Sequence, residues 1–351
     1  MANRKRYTQI AELLQRRIHQ GDYTGKPLPS EEFLAMETGV SRMTARRAIL
    51  HLMDQGIITR QPGSRAVPND KNKSILPSLA MLTPACSSES ITRWRYDIER
   101  TASEMNLRVR PVEYVHEDDP SIRETLDEYQ GVFFVPTAKL PKLIESWQDY
   151  RAKLMCISAD LTHLHIPSIW DFPPQGADMV LEHMYEIGCR NVMCLNVQPM
   201  DTVINAWIDS YQRWVKRHNL TEHMHDTPRA LLSRGACEEA TNEFKNNPGK
   251  YDGVFATTLP AALGSIRAAH NCGLKIGKEM AVATVDGGVF FREYLPDITC
   301  VDAPDLVPVI KRAIEWILGK SRSKQNPGML VPDVLKLYKG ESTLGFASTP
   351  R

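Results

Sequence analysis

Residues Leu28–Gly63 read LPSEEFLAMETGVSRMTARRAILHLMDQGIITRQPG. Two short helices joined by a tight turn, and then a hairpin, can be read from this stretch. Ser30 precedes Glu31 and Glu32, an N-cap followed by acids where the helix dipole favours them. Phe33 and Leu34 are expected to face inward. Gly39 suits the left-handed residue that ends a helix, and Ser41 can cap the next one. In that next helix Ala45, Ala48, Ile49 and Leu52 recur at helical spacing and make one apolar face. The opposite side carries Arg42, Met43, Arg46 and Arg47, with Ser41 and Thr44 near its start. Arginines reach phosphates and guanine edges, and short hydroxyls bond phosphate oxygens. This face therefore has the chemistry of a helix that enters a nucleic-acid groove. Gly56 closes the helix, and a short hairpin follows with Arg60 and Arg65 near its tip.

Upstream, Thr8 can cap a first helix whose apolar face is Ile10, Leu13, Leu14 and Ile18, with Gly21 at its end. Residues 1–73 hold 13 Lys/Arg against 7 Asp/Glu, whereas the rest holds 30 against 35. A basic head on a mildly acidic body assigns a polyanionic partner to the head alone. The segment 69–77 is polar and without periodicity, so it reads as a linker between a head, 1–68, and a body, 78–346.

In the body, apolar runs at 79–83, 109–114, 131–135, 154–157, 191–197, 253–256, 280–285 and 298–301 read as strands. Amphipathic stretches near 92–105, 139–150, 174–187, 203–218, 236–246, 260–272 and 306–318 alternate with them. That alternation implies parallel sheets covered by helices. A body of this length built so divides most often into two doubly wound lobes, with ligands bound in the crevice beyond the strand carboxyl ends. Trp94 and Trp170 are candidate aromatic walls for that crevice, ordinary packing being the alternative for each.

Chemistry of other kinds has little support. No Gly-rich phosphate loop follows a strand, and neither a Gly-x-Ser-x-Gly elbow nor a His-Glu-x-x-His helix is present. No catalytic residue, cofactor or metal is expected, and enzyme activity is not. The pairs His163/His165 and His223/His225 sit in polar, loop-like surroundings and are expected to be surface histidines. The seven cysteines have no Cys-x-x-Cys spacing and several lie in apolar segments, so reduced thiols are expected. No apolar run approaches the ~20 residues that span a bilayer, and no apolar segment follows the basic start, so a cytoplasmic location and no membrane partner are expected.

The order helix, Leu28-Pro-Ser-Glu31, helix, Gly39-Val-Ser-Arg42, helix, Gly56-Ile-Ile58, hairpin closely resembles the GntR family of bacterial winged helix-turn-helix regulators, over about residues 5–68. The resemblance implies DNA contacts from Ser41, Arg42, Thr44 and Arg46, with Gly63 at the wing tip against the minor groove. Arg47 and Arg65 join this set by their position on the same basic surface. Glu32 stands where many members carry a DNA-contacting arginine, and Pro62-Gly-Ser-Arg65 replaces the usual Gly-x-Gly-Thr wing.

The body resembles the LacI/GalR effector domain, which shares the periplasmic sugar-binding protein fold. The resemblance rests on ADMVLEHMYEIGCRNV at 177–192, AVATVDG at 281–287, YLPDITCV at 294–301, and Leu330-Val-Pro332 with Gly340-Glu-Ser-Thr343. A GntR head on such a body is the arrangement of arabinose-repressor-like regulators. The fold class implied is α/β: an N-terminal winged helix-turn-helix plus a two-lobed, doubly wound, periplasmic-binding-protein-like domain. By the same resemblance Asp286 and Asp160 are crevice carboxylates. Asn205 stands where the family has an arginine, and Thr257 where it has an asparagine. The expected function is a ligand-responsive transcription regulator, acting as a repressor. It would bind operator DNA as a homodimer and a small molecule such as a sugar between its lobes. The alternative is a DNA-binding protein whose body serves dimerisation alone.

Overall fold

The computed structural model describes residues 2–19, 22–23, 26–60, 64–69, 79–86, 88–137, 142–228, 232–288, 291–320 and 325–346. Gly21, Pro62, Gly63 and most of the 69–77 linker lie outside them.

The head is built from α1 (Ala2–His19), α2 (Glu31–Thr38), α3 (Arg42–Asp54), β1 (Ile58–Thr59) and β2 (Val67–Pro68). Thr8 lies inside α1 and does not cap it. Ser30 accepts the Phe33 N–H at 3.1 Å, and Ser41 accepts the Thr44 N–H at 3.2 Å, so both serines are N-caps. Caps of this kind contribute about 1 kcal/mol each. Gly39 takes φ 65° at the end of α2, as a left-handed C-cap requires. Leu14, Leu28, Leu34, Ala45, Ala48 and Leu52 pack into one core. Phe33 is 52% exposed, against expectation, because the eight-residue α2 turns Leu34 inward and its neighbour away.

The body contains α4 (Glu89–Glu104), α5 (Pro120–Glu128), α6 (Pro174–Glu186), α7 (Thr202–Arg217), α8 (Leu232–Asn246), α9 (Leu259–Asn271) and α10 (Val307–Ile317). Its strands are β3 (Leu79–Pro84), β4 (Val109–Tyr114), β5 (Gly131–Phe134), β6 (Leu154–Ile157), β7 (Ser168–Ile169), β8 (Val192–Asn196), β9 (Met224–Asp226), β10 (Gly253–Ala256), β11 (Ala281–Asp286), β12 (Thr299–Val301), β13 (Met329–Leu330) and β14 (Leu337–Tyr338). Among the described residues they form two six-stranded sheets, ordered β4-β3-β5-β6-β7-β13 and β9-β8-β10-β11-β12-β14. All neighbours run parallel except β12 and β14.

Strand periodicity explains the layers. In the first lobe Leu79, Met81, Phe133, Met155 and Ile157 face α4 and α10. The alternate residues Ala80, Leu82, Val132, Phe134 and Cys156 face the other way, toward α5 and Trp147. The second lobe repeats this, with Cys194, Phe255 and Ala283 toward α6 and α7, and Leu195, Val254 and Val282 toward α8 and α9. Sheets covered on both faces need continuous apolar strands, and β5, β6, β8 and β10 are buried at every residue.

The described chain passes between the lobes from β7 to α6, from β12 to α10 and from β13 to β14. The carboxyl ends of both sheets meet these crossings. In each lobe the strand order reverses about the first strand, which leaves a crevice outlined by strand ends.

Candidate DNA-binding face and interlobe crevice

On α3, Arg42, Met43, Arg46 and Arg47 are exposed while Ala45, Ala48, Ile49 and Leu52 are buried, so the helix turns a basic face to solvent. Ser41 is exposed at its start, where free backbone N–H groups favour phosphate. Thr44 is not on that face. It is 6% exposed, and its hydroxyl lies 2.8 Å from that of Ser41. Three-residue spacing from the cap carries it around to the inner side. Arg60 donates from Nε to Ser64 O at 2.8 Å and from Nη1 to Glu31 Oε1 at 3.2 Å, which holds the base of the wing against α2. Arg42 lies 3.9 Å from the same Glu31 carboxylate. Arg65 is exposed beside this pair. Glu31, not Glu32, is thus the acid that organises the basic surface, and Gly63 falls outside the described residues.

In the crevice, α4 supplies Arg93. Its guanidinium donates to Pro304 O at 2.8 Å, lies 3.9 Å from Asp171 and 3.8 Å from Asp97, and sits over the Phe172 ring. Asp171 and Phe172 belong to the first crossing, and Pro304 to the second. One side chain of the first lobe therefore braces two of the connections to the second. The Asp171 carboxyl is pushed up to about 6, mainly by burial and further by Asp286, while Arg93 opposes the rise. Burial also raises Asp97, with Arg93 and Arg100 opposing. Two carboxylates, Asp97 and Asp171, thus flank one guanidinium.

The expected crevice residues divide into three groups. Asp286 ends β11 half-buried and accepts the Gly288 N–H at 2.9 Å. Trp170 is half-buried beside Asp171, and its indole N–H is buried without a partner among the described residues. These two lie at the ends of β11 and β7, next to the crossings. Asp160 spends its carboxylate locally, accepting from the Thr162 N–H at 2.9 Å and hydroxyl at 2.6 Å. Its own N–H donates to Thr202 Oγ1 in the second lobe at 3.0 Å, so it bridges the lobes through its backbone. Asn205 is exposed on the first turn of α7. Trp94 and Thr257 are committed to the interior. Trp94 is 1% exposed in the first-lobe core, with its N–H on Ser158 Oγ at 3.1 Å. Thr257 is wholly buried and donates to Asn196 Oδ1 at 2.9 Å. Next to it the Thr258 hydroxyl is buried without a partner among the described residues.

Sequence reasoning passed over Arg93 and Asp171. Arg93 sits on an amphipathic helix rich in charge, where it reads as a solvated residue. The WDFPP run at 170–174 was the available signal: an acid between aromatics on a stiff proline segment. His163 and His165 are exposed, as expected. His225 is different, because Glu239 and Glu243 come within reach of it. The described cysteines are free thiols, four of them buried. No helix among the described residues is long and apolar enough to cross a membrane.

A winged helix with a basic face is thus joined to two α/β lobes linked by three chain crossings. Comparison with known proteins agrees with it in each part. Residues 6–67 match the family described as bacterial regulatory proteins, gntR family, and residues 181–343 match the periplasmic binding protein-like domain. The chain is similar to the sucrose operon repressor of Pediococcus pentosaceus, 24% identical over 162 residues, covering 46% of this chain and 49% of that protein. It is 35% identical over 88 residues to the HTH-type transcriptional repressor NagR of Bacillus subtilis, covering 24% and 36%. The matches thus span about half or less of these curated relatives. The structure of the lac repressor dimer bound to operator and the anti-inducer ONPF superposes with a TM-score of 0.61 at 15% identity, covering 79% of this chain and 99% of that one. That likeness establishes the fold. The head therefore matches the gntR family model, and the body matches the periplasmic binding protein-like domain model over its second lobe and shares the fold of the lac repressor.

Proposed function

We propose that the protein is a transcription repressor. In this reading its head binds operator DNA as one half of a homodimer, and its body takes a small molecule, of sugar type, into the interlobe crevice. The observation that carries it is the α3 face: Arg42, Arg46 and Arg47 stand in solvent above a fully packed core. A rigid helix with that exposure fits the major groove, and a dimer spaces two of them for a two-fold operator. Similarity to a sucrose operon repressor supports the sugar class, and the operator-bound lac repressor dimer supports the assembly. A ligand that draws the lobes together would act on the crossings braced by Arg93. Coupling of this type is typically about 1–3 kcal/mol, a 5- to 150-fold change in DNA affinity.

The test has two parts. Selection of genomic fragments by the purified protein should return a pseudo-palindromic site. A thermal-shift panel of neutral sugars, amino sugars and sugar acids should then return a stabilising ligand. At 100 times its dissociation constant it adds about 2.7 kcal/mol. The interior roles of Trp94 and Thr257 favour a second reading, a body that only dimerises. DNA binding without any ligand shift would select that reading.

A further inference from the structure

His223 immediately precedes β9 and His225 lies within it, and both rings meet Tyr251. Glu239 and Glu243 lie four apart on α8, hence on one helix face. The fold packs that face over the strand. Glu239 Oε1 is 3.3 Å from His225 Nδ1, and Glu243 Oε2 is 3.9 Å from His225 Nε2. One donor atom from each of the three residues falls within 4.8 Å of the others. Tyr251, just before β10, donates its hydroxyl to Glu243 Oε2 at 2.7 Å, and its oxygen stands 3.4 Å from His225 Nε2. All three side chains are half-buried, at 18%, 19% and 22% exposure, which leaves a path for an ion.

We propose that His225, Glu239 and Glu243 form a binding site for one divalent transition-metal ion of zinc type. Like charges four apart weaken an isolated helix, and a shared cation reverses that effect. One imidazole with two carboxylates suits zinc, cobalt or nickel better than calcium or magnesium, which take oxygen donors. Two donors each about 2.1 Å from a tetrahedral ion lie roughly 3.4 Å apart, and Nδ1 and Glu239 Oε1 already match this. The Glu243 carboxylate completes the set, with its donor atom within 4.8 Å of the other two. With Nδ1 on the metal, Nε2–H faces the Tyr251 oxygen, and Tyr251 in turn donates to Glu243. Support of a ligating histidine and carboxylate by an outer hydroxyl is a recurrent feature of such sites. The ion would tie β9, the edge strand of its sheet, to the helix that covers it.

The full-length chain, stripped with chelator, is titrated with Co²⁺ alone. One equivalent should bind, with visible bands of a nitrogen–oxygen ligand set and no thiolate charge-transfer band, and Zn²⁺ should displace it. His225→Asn and Glu239→Gln should each abolish the saturable signal, and Tyr251→Phe should weaken it about tenfold or more. Circular dichroism checks that the variants fold, and the wild-type spectrum decides by itself if they do not. Absence of saturable Co²⁺ binding to the wild type overturns the proposal, as does a thiolate band. Binding that survives both ligand substitutions overturns it too.

Discussion

The Arg93 guanidinium stands 3.9 Å from the Asp171 carboxylate and donates to Pro304 O at 2.8 Å, so one side chain of α4 grips two of the crossings between lobes. Both partners of the ion pair are largely buried, at 13% and 12% side-chain exposure. Buried pairs add little over an apolar pair, but removing one partner strands the other charge. Arg93→Ala should therefore cost about 3 kcal/mol at pH 7.5. The cost should shrink toward pH 5, where Asp171 takes up a proton. Urea unfolding at the two pH values measures this. An equal loss at both would show that the charge on Asp171 is not what Arg93 compensates.

Asp171→Asn tests the same pair from the acid side. In the folded chain this carboxyl is pushed up to about 6 from an ordinary 3.8. The folded state thus holds a proton that the unfolded state releases. Its contribution is most favourable below pH 4 and is lost as pH rises through 6, by roughly 3 kcal/mol in all. The asparagine has no such slope. The stability difference, variant minus wild type, should grow in favour of the variant between pH 4.5 and pH 7.5. A difference constant with pH would mean that Asp171 is already ionised throughout.

The head makes a separate prediction. Arg46 and Arg47 are neighbours on the exposed face of α3 and are free of any acid partner in the described ion pairs, whereas Arg42 lies near Glu31. Arg46→Ala should cost about 1–3 kcal/mol of operator affinity and relax one base position if it reads a base edge. An arginine that meets only phosphate should instead weaken all sequences alike and lower the salt slope by about one unit. Titrations at several salt concentrations separate the two. Unchanged affinity after both Arg46→Ala and Arg47→Ala would remove α3 as the recognition helix.

These residues also mark where reading the sequence succeeds. The α3 face was legible because its pattern is local, with a cap, a helical period and a closing glycine within sixteen residues of Ser41. All eight body strands expected from apolar runs are present. The missed strands β7, β9, β13 and β14 have two or three residues each and exist only through their neighbours' hydrogen bonds. Helix α5 was missed although Asp119 and Pro120 mark its start. The crevice was harder still. Arg93, Asp171 and Pro304 meet only once both crossings are in place, and Trp94, a good wall by composition, is taken by the core. The same holds for His225, whose carboxylate partners arrive on a helix that begins after the strand has ended.

Gly264 sets two opposing effects against each other. It lies inside α9, where alanine is intrinsically favoured over glycine by about 1 kcal/mol. A Cβ there, however, would stand 2.4 Å from the Ala236 Cβ, 2.5 Å from Ser233 O and 2.8 Å from Cys237 N. Two of those atoms are α8 backbone and the third is a methyl with no torsion to relieve it, so the helices themselves must part. Overpacking of this sort costs about 1–3 kcal/mol, which outweighs the propensity gain. Gly264→Ala should therefore destabilise the body. Because α8 also presents Glu239 and Glu243 to His225, the displaced helix should weaken Co²⁺ binding if the ion site is as proposed. A variant as stable as wild type in urea would show that α8 and α9 have room to spare, and that propensity decides at this position.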